Sequence, residues 1–487
     1  MSQEAFLVID AGSGSVKSFL ISPMGKIIDR SEREWNRDNW RSDEAWPKIT
    51  ESVSELMKKN QCKILGVSST SMREEFVLLD EDGGEVVYDL SEESEKHGYK
   101  VLEEYGESMY RSSGHWPVPN WIAGAILPWL QEQEPALFEH ITNILMISDW
   151  VNYKLCGEMA TEGSSSCETS LYNLRKNDWD WQLIDTLGLP RSIFPDSRRN
   201  GEIIGALSKE VSDTIGVSEG TPVVIGGADT QSGLLGMGAI CGEVGAVGGT
   251  TTPVQIIIDE PLLDPDMRTW TNNYLFDNSW ILESNVGYTG RVYRWIRDEK
   301  LKGKANYIEL NSLAESAPVG SDGVLSFLGP HLFDNGPPYW SMDKLGNLPV
   351  SPTITGKVNY DISSLTRSVI EANCFGVKAN LVQLQDISGQ GFDYLRFCGG
   401  NSKSDIWMQI QADVLGFDVM VPDVHDATAI GVAILCGLGV GYFDKVEDAV
   451  DNMVRIGKVY EPRQMESEVY QRHYRRWMET REKLGRA

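Results

Sequence analysis

Asp229 is the first residue in this chain to stand out as a chemical group. It lies in the stretch Ile225–Gln255, IGGADTQSGLLGMGAICGEVGAVGGTTTPVQ, in a glycine-rich turn after the apolar run Val223-Val224-Ile225. Further along, Val244-Gly245-Ala246-Val247 leads into a second glycine turn, Gly248-Gly249, followed by Thr250, Thr251 and Thr252. One turn thus offers an acid and the other offers hydroxyls. Glycine lets a backbone approach a ligand closely and aim consecutive N–H groups at an anion. An acid beside such a turn suits a base facing a bound phosphate chain. Glycines at strand ends also make ordinary turns, so this stretch alone leaves both readings open.

The same arrangement occurs at the start of the chain. Phe6-Leu7-Val8-Ile9 ends in Asp10, Gly12-Ser13-Gly14-Ser15 follows, and then come Phe19-Leu20-Ile21, a turn at Pro23-Met24-Gly25-Lys26, and Ile27-Ile28. The pattern predicts an antiparallel meander whose first turn carries an acid and hydroxyls. Residues 244–258 repeat the plan of strand, polar glycine turn and strand. Two such hairpins point to two related halves that grip one phosphate chain from both sides.

Other elements must position these groups. Ile49, Val53, Leu56 and Met57 mark an amphipathic helix, and Ile64-Leu65-Gly66-Val67-Ser68 a buried strand. The strand leads to Ser71-Met72-Arg73-Glu74-Glu75, at a strand end where α/β proteins place ligand contacts. A guanidinium beside a carboxylate can donate to and accept from vicinal hydroxyls; a surface ion pair is the alternative. Residues 121–158 read as helical, with Ser148-Asp149-Trp150 as a helix cap or a substrate wall. Gly287-Tyr288-Thr289-Gly290 precedes a helix through Trp295, and Pro337-Pro338-Tyr339-Trp340 reads as an exposed loop. Leu365–Leu384 is helical; Tyr394–Cys398 is a strand ending in Gly399-Gly400-Asn401-Ser402, followed by a helix through Ile406, Ile410 and Val414. Ala427-Thr428-Ala429-Ile430-Gly431 opens a small-residue helix, and Glu466–Lys483 reads as a solvated one.

Bulk properties exclude several classes. A chain of 487 residues is too long for one core. Its 71 acidic against 44 basic side chains leave a net charge of −27, which repels nucleic acid and anionic lipid, so neither a nucleic-acid nor a membrane partner is expected. No apolar run reaches the length of a membrane span. Met1–Asp10 shows no basic segment ahead of an apolar one, and the seven cysteines are scattered without pairing motifs. A cytoplasmic location is expected. The six histidines lack metal-ligand spacing and no nucleophile-elbow motif occurs.

In combination these motifs resemble the FGGY carbohydrate kinases, within the actin, Hsp70 and sugar-kinase superfamily. Asp10-Ala-Gly-Ser-Gly-Ser15 and Gly248-Gly-Thr-Thr-Thr252 look like the two phosphate loops, and Gly226-Gly-Ala-Asp229 like the catalytic aspartate motif. Phe397-Cys-Gly-Gly-Asn-Ser402 looks like the adenosine segment, Asp426-Ala-Thr-Ala-Ile-Gly431 like the helix after it, and Ser71-Met-Arg-Glu74 like a polyol-binding step. The resemblance implies an α/β fold of two RNase H-like (actin-like ATPase) domains. Each would be a mixed central sheet flanked by helices, with residues 1–238 and 239–487 enclosing the active site in the cleft between them. It implies ATP and Mg2+ as cofactors and a small sugar or polyol as substrate, and leaves a homodimer open.

By that resemblance Asp229 is the catalytic base, and Arg73, Glu74, Asp229 and Gln231 bind the acceptor. ATP falls to Gly12, Ser13, Gly14, Ser15 and Lys17 on the first turn, Gly249, Thr250 and Thr251 on the second, then Gly290, Gly399, Gly400, Asn401 and Ser402. Asp10 holds the metal, through water, since magnesium keeps much of its hydration shell. Ser71–Glu74, Met146–Trp150 and Thr289–Asp298 are most similar to the branch of the family that phosphorylates autoinducer-2, a dihydroxypentanedione; a pentulose, glycerol or erythritol is the alternative acceptor. Two departures weaken that choice. Ser91-Glu-Glu-Ser-Glu95 stands where many members carry a W-x-D-x-R step, and Ala125 or Ile126 where a basic residue precedes a Trp-Leu pair. A filament or chaperone ATPase of the same superfamily would need neither Arg73-Glu74 nor Asp229.

Overall fold

The computed structural model describes residues 3–35, 40–328 and 352–485. The expected loop at Pro337–Trp340 lies outside them. Two sheets organise the chain. The first has six strands: β1 (Gln3–Ala11), β2 (Ser15–Ile21), β3 (Ile27–Glu34), β4 (Cys62–Ser71), β5 (Ile203–Ala206) and β6 (Pro222–Val224), in the order β5-β6-β4-β1-β2-β3. The second has seven: β7 (Val244–Gly248), β8 (Pro253–Ile258), β9 (Trp270–Asn273), β10 (Trp280–Asn285), β11 (Tyr394–Gly399), β12 (Asp418–Pro422) and β13 (Ile456–Tyr460), in the order β9-β10-β8-β7-β11-β12-β13.

The two sheets share a plan. β1 pairs antiparallel with β2 and parallel with β4, β4 pairs parallel with β6, and β5 closes that edge antiparallel. Likewise β7 pairs antiparallel with β8 and parallel with β11, β11 parallel with β12, and β13 closes the edge antiparallel. The predicted meander is β1-β2-β3, and the echo at 244–258 is β7-β8. The central strands are apolar on both faces because helices cover both sides. This is the two-domain α/β architecture of the actin-like ATPases.

On one face of the first sheet lies α1 (Ser42–Lys59), which buries Ile49, Val53 and Leu56 at helical spacing against β2 and β3. In the second half α2 (Ile362–Ser388) and α3 (Asp405–Leu415) bury Val369, Phe375, Ile410 and Val414 in one core with β7, β8 and β10. Two helices cross between the halves: α4 (Asp229–Gly236), and α5 (Ala427–Gly439), which packs on β1 and β4 of the first sheet. A Cβ on Gly236 would stand 1.7 Å from the Ala427 carbonyl oxygen, and one on Gly431 1.9 Å from that of Ser232. Only glycine permits that backbone approach, and it fixes the helix whose first residue is Asp229.

Three expectations are corrected. Residues 121–158 are not one helical region: a strand, Asn143–Met146, pairs with Phe76–Leu79 between helices Ala123–Gln133 and Ile147–Cys156. Pro135 and the apolar Ile144-Leu145-Met146 end the first helix and start the strand. Ser148 is neither cap nor wall. Met146 flanks that helix start without a side-chain cap, and the Ser148 N–H donates to Ser71 Oγ at 3.0 Å. The C-terminal helix, Gln464–Gly485, is not simply solvated. Tyr470 and Trp477, two helical turns apart, are buried in the second core, where Trp477 Nε1 donates to the Ser326 carbonyl.

The acidic stretch at 91–95 has a structural explanation. Ser91 caps the helix Glu92–Ser113 in a box with Ser94, and Glu92, Glu93 and Glu95 lie in its first turn. Carboxylates there face the positive end of the helix dipole.

Candidate active site

The strand ends converge on a cavity of about 330 Å3 whose lining includes Ser13, Arg73, Glu74, Asp229, Thr230, Gly249, Thr250 and Thr251. Both glycine turns therefore reach one space. The β7–β11 register sets Gly248 beside Gly399. A Cβ on Gly399, whose φ is +89°, would stand 2.4 Å from the Gly248 carbonyl oxygen, so only glycine lets these two turns touch. Gly290 packs on Gly249 in the same way. Gly400–Lys403 form a short 3-10 turn. Within it Ser402 Oγ donates to the Gly399 carbonyl, and Asn401 Nδ2 is buried with no acceptor among the described residues.

The first turn is pinned from outside. Trp35 donates its indole N–H to the Gly12 carbonyl at 3.0 Å and its backbone N–H to that of Gly14 at 3.1 Å. Ser15 Oγ donates to Glu32, whereas Ser13 lines the cavity. Lys17 lies opposite Asp10 across the β1–β2 register. Asp10, the penultimate residue of β1, lies beside Thr70 of β4.

The acids share a small space. Burial pushes the Asp229 carboxyl up to about 6, with Glu283 adding to the rise and Arg73 and the Thr230 N–H opposing it. Burial pushes Asp10 up to about 7, partly offset by Lys17 and reinforced by Asp229, Asp426 and Glu32. Asp229 lines the cavity and Asp10 does not; both side chains keep partial access to solvent while densely surrounded by protein. Glu74 is also raised, by burial first, with Arg73 opposing and Glu283 and Asp229 adding to it. Its φ of +67° is the left-handed region that a residue with a side chain seldom occupies. Such backbone persists where the surrounding structure holds it, often at functional sites. Its carboxylate has no hydrogen bond among the described residues.

Arg73 is committed within the protein. Its Nη1 and Nη2 donate to Glu283 at 2.7 and 3.0 Å in a two-pronged fork, and Nη1 also reaches Glu168 at 3.2 Å. Glu283 accepts a further bond from Gln255 at 2.5 Å, and Glu168 one from Asn272 at 3.0 Å. Arg73 therefore ties the first sheet to β10 of the second. Gln231 is not part of the cavity: it is fully buried and donates to the Ser164 carbonyl. Its neighbour Thr230 lines the space instead, because one residue along a helix rotates a side chain by about 100°.

The sequence-level comparison decides the family. Residues 5–236 match the family model described as "FGGY family of carbohydrate kinases, N-terminal domain", and residues 244–440 match that of the C-terminal domain. The chain belongs to the FGGY family of carbohydrate kinases. A curated relative, "Autoinducer-2 kinase" of Enterobacter sp. (strain 638), is 30% identical over 97% of this chain and 93% of its own length. Among solved structures, a gluconate kinase from Lactobacillus acidophilus superposes with a TM-score of 0.86 at 20% identity, covering 99% of this chain and 98% of that one. Plasmodium falciparum glycerol kinase with ADP gives 0.82 at 19% identity, covering 98% of each chain. Among the described residues no helix is long and apolar enough to cross a membrane.

In this kinase, sequence reasoning missed Glu283, Glu168, Trp121 and Trp270. The indoles and Glu283 line the cavity, and Glu168 stands behind Arg73. The one signal for Glu283 is a lone carboxylate inside the apolar strand Trp280-Ile-Leu-Glu-Ser-Asn285. Glu168 sits in the polar run Ser164–Thr169, which shows no periodicity.

Proposed function

We propose that this carbohydrate kinase transfers the γ-phosphoryl group of ATP to a hydroxyl of autoinducer-2, in a linear or hydrated dihydroxypentanedione form. The observation carrying this reading is the convergence of Asp229, Glu74 and the two hydroxyl-bearing turns on one cavity. The curated relative supports the acceptor. Glu74, Asp229 and Glu283 face Arg73 and Arg268 there, a balance that favours an uncharged, oxygen-rich acceptor over a sugar phosphate.

Phosphoryl transfer needs positioning and charge compensation more than covalent chemistry. Ser13 and Thr250 project hydroxyls into the space from opposite turns and orient the phosphates of ATP. Asn401 Nδ2, buried without an acceptor among the described residues, supports a nucleotide contact at that turn. Asp10 would hold magnesium through water: it is a carboxylate near the end of β1, with Asp229, Asp426 and Glu32 close enough to raise its pKa and Lys17 opposing them. Magnesium bound there supplies charge neutralisation of the phosphates. Asp229 removes the proton from the attacking hydroxyl, and Glu74 accepts a hydrogen bond from a neighbouring hydroxyl, so that one oxygen stays in line. Trp121 and Trp270 wall the space and exclude water, the competing acceptor.

An Asp229 carboxyl near 6 predicts the pH dependence. The base works ionised, so kcat/KM at saturating Mg-ATP is expected to be flat above about pH 7 and to fall about tenfold per unit below pH 6. A limb near pH 4, the ordinary aspartate value, would contradict the burial argument.

The acceptor assignment is tested by comparing kcat/KM for dihydroxypentanedione, xylulose, ribulose, glycerol and erythritol in one coupled assay of ADP release. Dihydroxypentanedione is expected to lead. A pentulose preferred by about tenfold, some 1.4 kcal/mol, would remove the acceptor assignment and leave the kinase standing.

A further inference from the structure

A second and larger cavity, about 630 Å3, shares no lining residue with the first. Residues 175–177 and 197–200 form one wall and residues 273–278 the other. On a protein of net charge −27, this space is bordered by four cations, Arg175, Lys176, Arg198 and Arg199, against two carboxylates, Glu202 and Asp277. The cations are loosely held. Arg175 donates to the Pro261 carbonyl, Arg198 meets Glu202 at 3.3 Å and Asp196 at 3.9 Å, and Arg199 meets Asp277 at 3.4 Å, with at least 39% of each of these ion-paired side chains exposed. Lys176 makes no ion pair among the described residues. Exposed pairs of this kind contribute little, so a phosphate can recruit these guanidinium groups in two-pronged contacts.

The rear of this cavity leads to the catalytic loop. Asn200 donates its amide to the Gly226 carbonyl at 2.5 Å and to Glu162 at 2.8 Å. Glu162 in turn holds the N–H groups of Ser164 and Ser165, and Ser164 Oγ accepts the Ala228 N–H at 2.9 Å. Leu275, from the opposite wall, packs on Gly227 so closely that a Cβ there would stand 2.2 Å from its Cδ2. Gly226, Gly227 and Ala228 immediately precede Asp229. The two halves are also pinned here, since the Leu174 carbonyl accepts from Asn273 and from the Trp280 indole.

We propose that this cavity is a second ligand site, for a small phosphomonoester, whose occupancy stiffens the junction and the loop into Asp229 and so lowers turnover. The phosphate is held by Lys176, Arg198 and Arg199, and the hydroxyls of the organic part by Asn200 and Asn278. A ligand here acts on the placement of Asp229 and leaves the acceptor contacts alone, so kcat falls while KM for the acceptor holds.

The test uses the full chain and D-ribose 5-phosphate as probe, with inorganic phosphate beside it, by calorimetry and by initial rates. The wild type is expected to bind ribose 5-phosphate saturably and to lose kcat with it. The double variant Lys176→Ala/Arg198→Ala is expected to bind at least about tenfold more weakly, a loss of about 1.4 kcal/mol, and to escape inhibition. Its turnover without probe should match the wild type, since both side chains are exposed and neither lines the acceptor cavity. Equal binding by the two proteins, inhibition purely competitive with the acceptor, or no saturable binding by the wild type would each overturn the site. Inorganic phosphate binding as tightly as ribose 5-phosphate would overturn the phosphomonoester assignment. None of these outcomes touches the kinase reading, which the uninhibited rates test separately.

Discussion

Asp229→Asn lowers turnover by about two to four powers of ten, the range a positioned general base contributes. Asparagine keeps the size and polarity and removes only the ionisable oxygen, and the turns expected to hold the phosphates, at Ser13 and Thr250, are untouched. Nucleotide affinity should therefore persist in calorimetry while steady-state turnover collapses, and the acid limb near pH 6 should vanish with it. The variant is also expected to be the more stable protein at neutral pH. A carboxyl whose folded pKa is raised, here to about 6 from 3.8, binds its proton more tightly in the folded state. Its stabilising contribution is present at low pH and is lost as pH rises through the folded value. At pH 7 the ionised Asp229 thus costs stability, and a neutral isostere removes that cost. Near-full turnover in the variant, or a lower melting temperature at pH 7 than the wild type, would contradict the assigned role and environment.

Arg73→Ala is expected to cost both stability and catalysis. The guanidinium stands against Glu283 and Glu168, whose side chains are 3% and 0% exposed, with Glu74 and Asp229 nearby. Its removal leaves buried carboxylates without a counter-charge, a loss of about 3–5 kcal/mol. Acceptor kcat/KM should fall by roughly 2–5 kcal/mol, as when a buried charged contact is broken. Denaturant unfolding and acceptor kinetics measure the two effects. Adding Glu283→Gln to the variant separates them. If Arg73 acts through charge balance, the double variant regains part of both; if its guanidinium meets the acceptor, stability returns and kcat/KM does not. Unchanged stability in Arg73→Ala would mean that the fork to Glu283 contributes nothing.

The acidic 91–95 stretch bears on the acceptor. Its carboxylates serve the start of a capped helix, and the cavity has its own cations in Arg73 and Arg268. The cations that line the cavity thus come from both halves.

Local order decided what the sequence alone determined. Apolar runs ending in glycine turns placed β1-β2 and β7-β8, put Asp10 and Asp229 at element ends, and predicted the Gly399–Ser402 turn, because strand alternation, helical spacing and glycine conformation are properties of neighbours along the chain. Only the tertiary structure decided which distant groups meet. Glu168 and Glu283 lie 95 and 210 residues from the arginine they hold, and no periodicity links them to it. Thr230 rather than Gln231 faces the cavity because the close crossing of α4 and α5 sets the rotation of that helix. A stretch dense in Arg and Glu proved to carry Tyr470 and Trp477 into the core, and Asn143–Met146 became a strand because Phe76–Leu79 offers it an edge. In each case the deciding free energy is burial against, or pairing with, a partner remote in sequence, which propensity and composition do not encode.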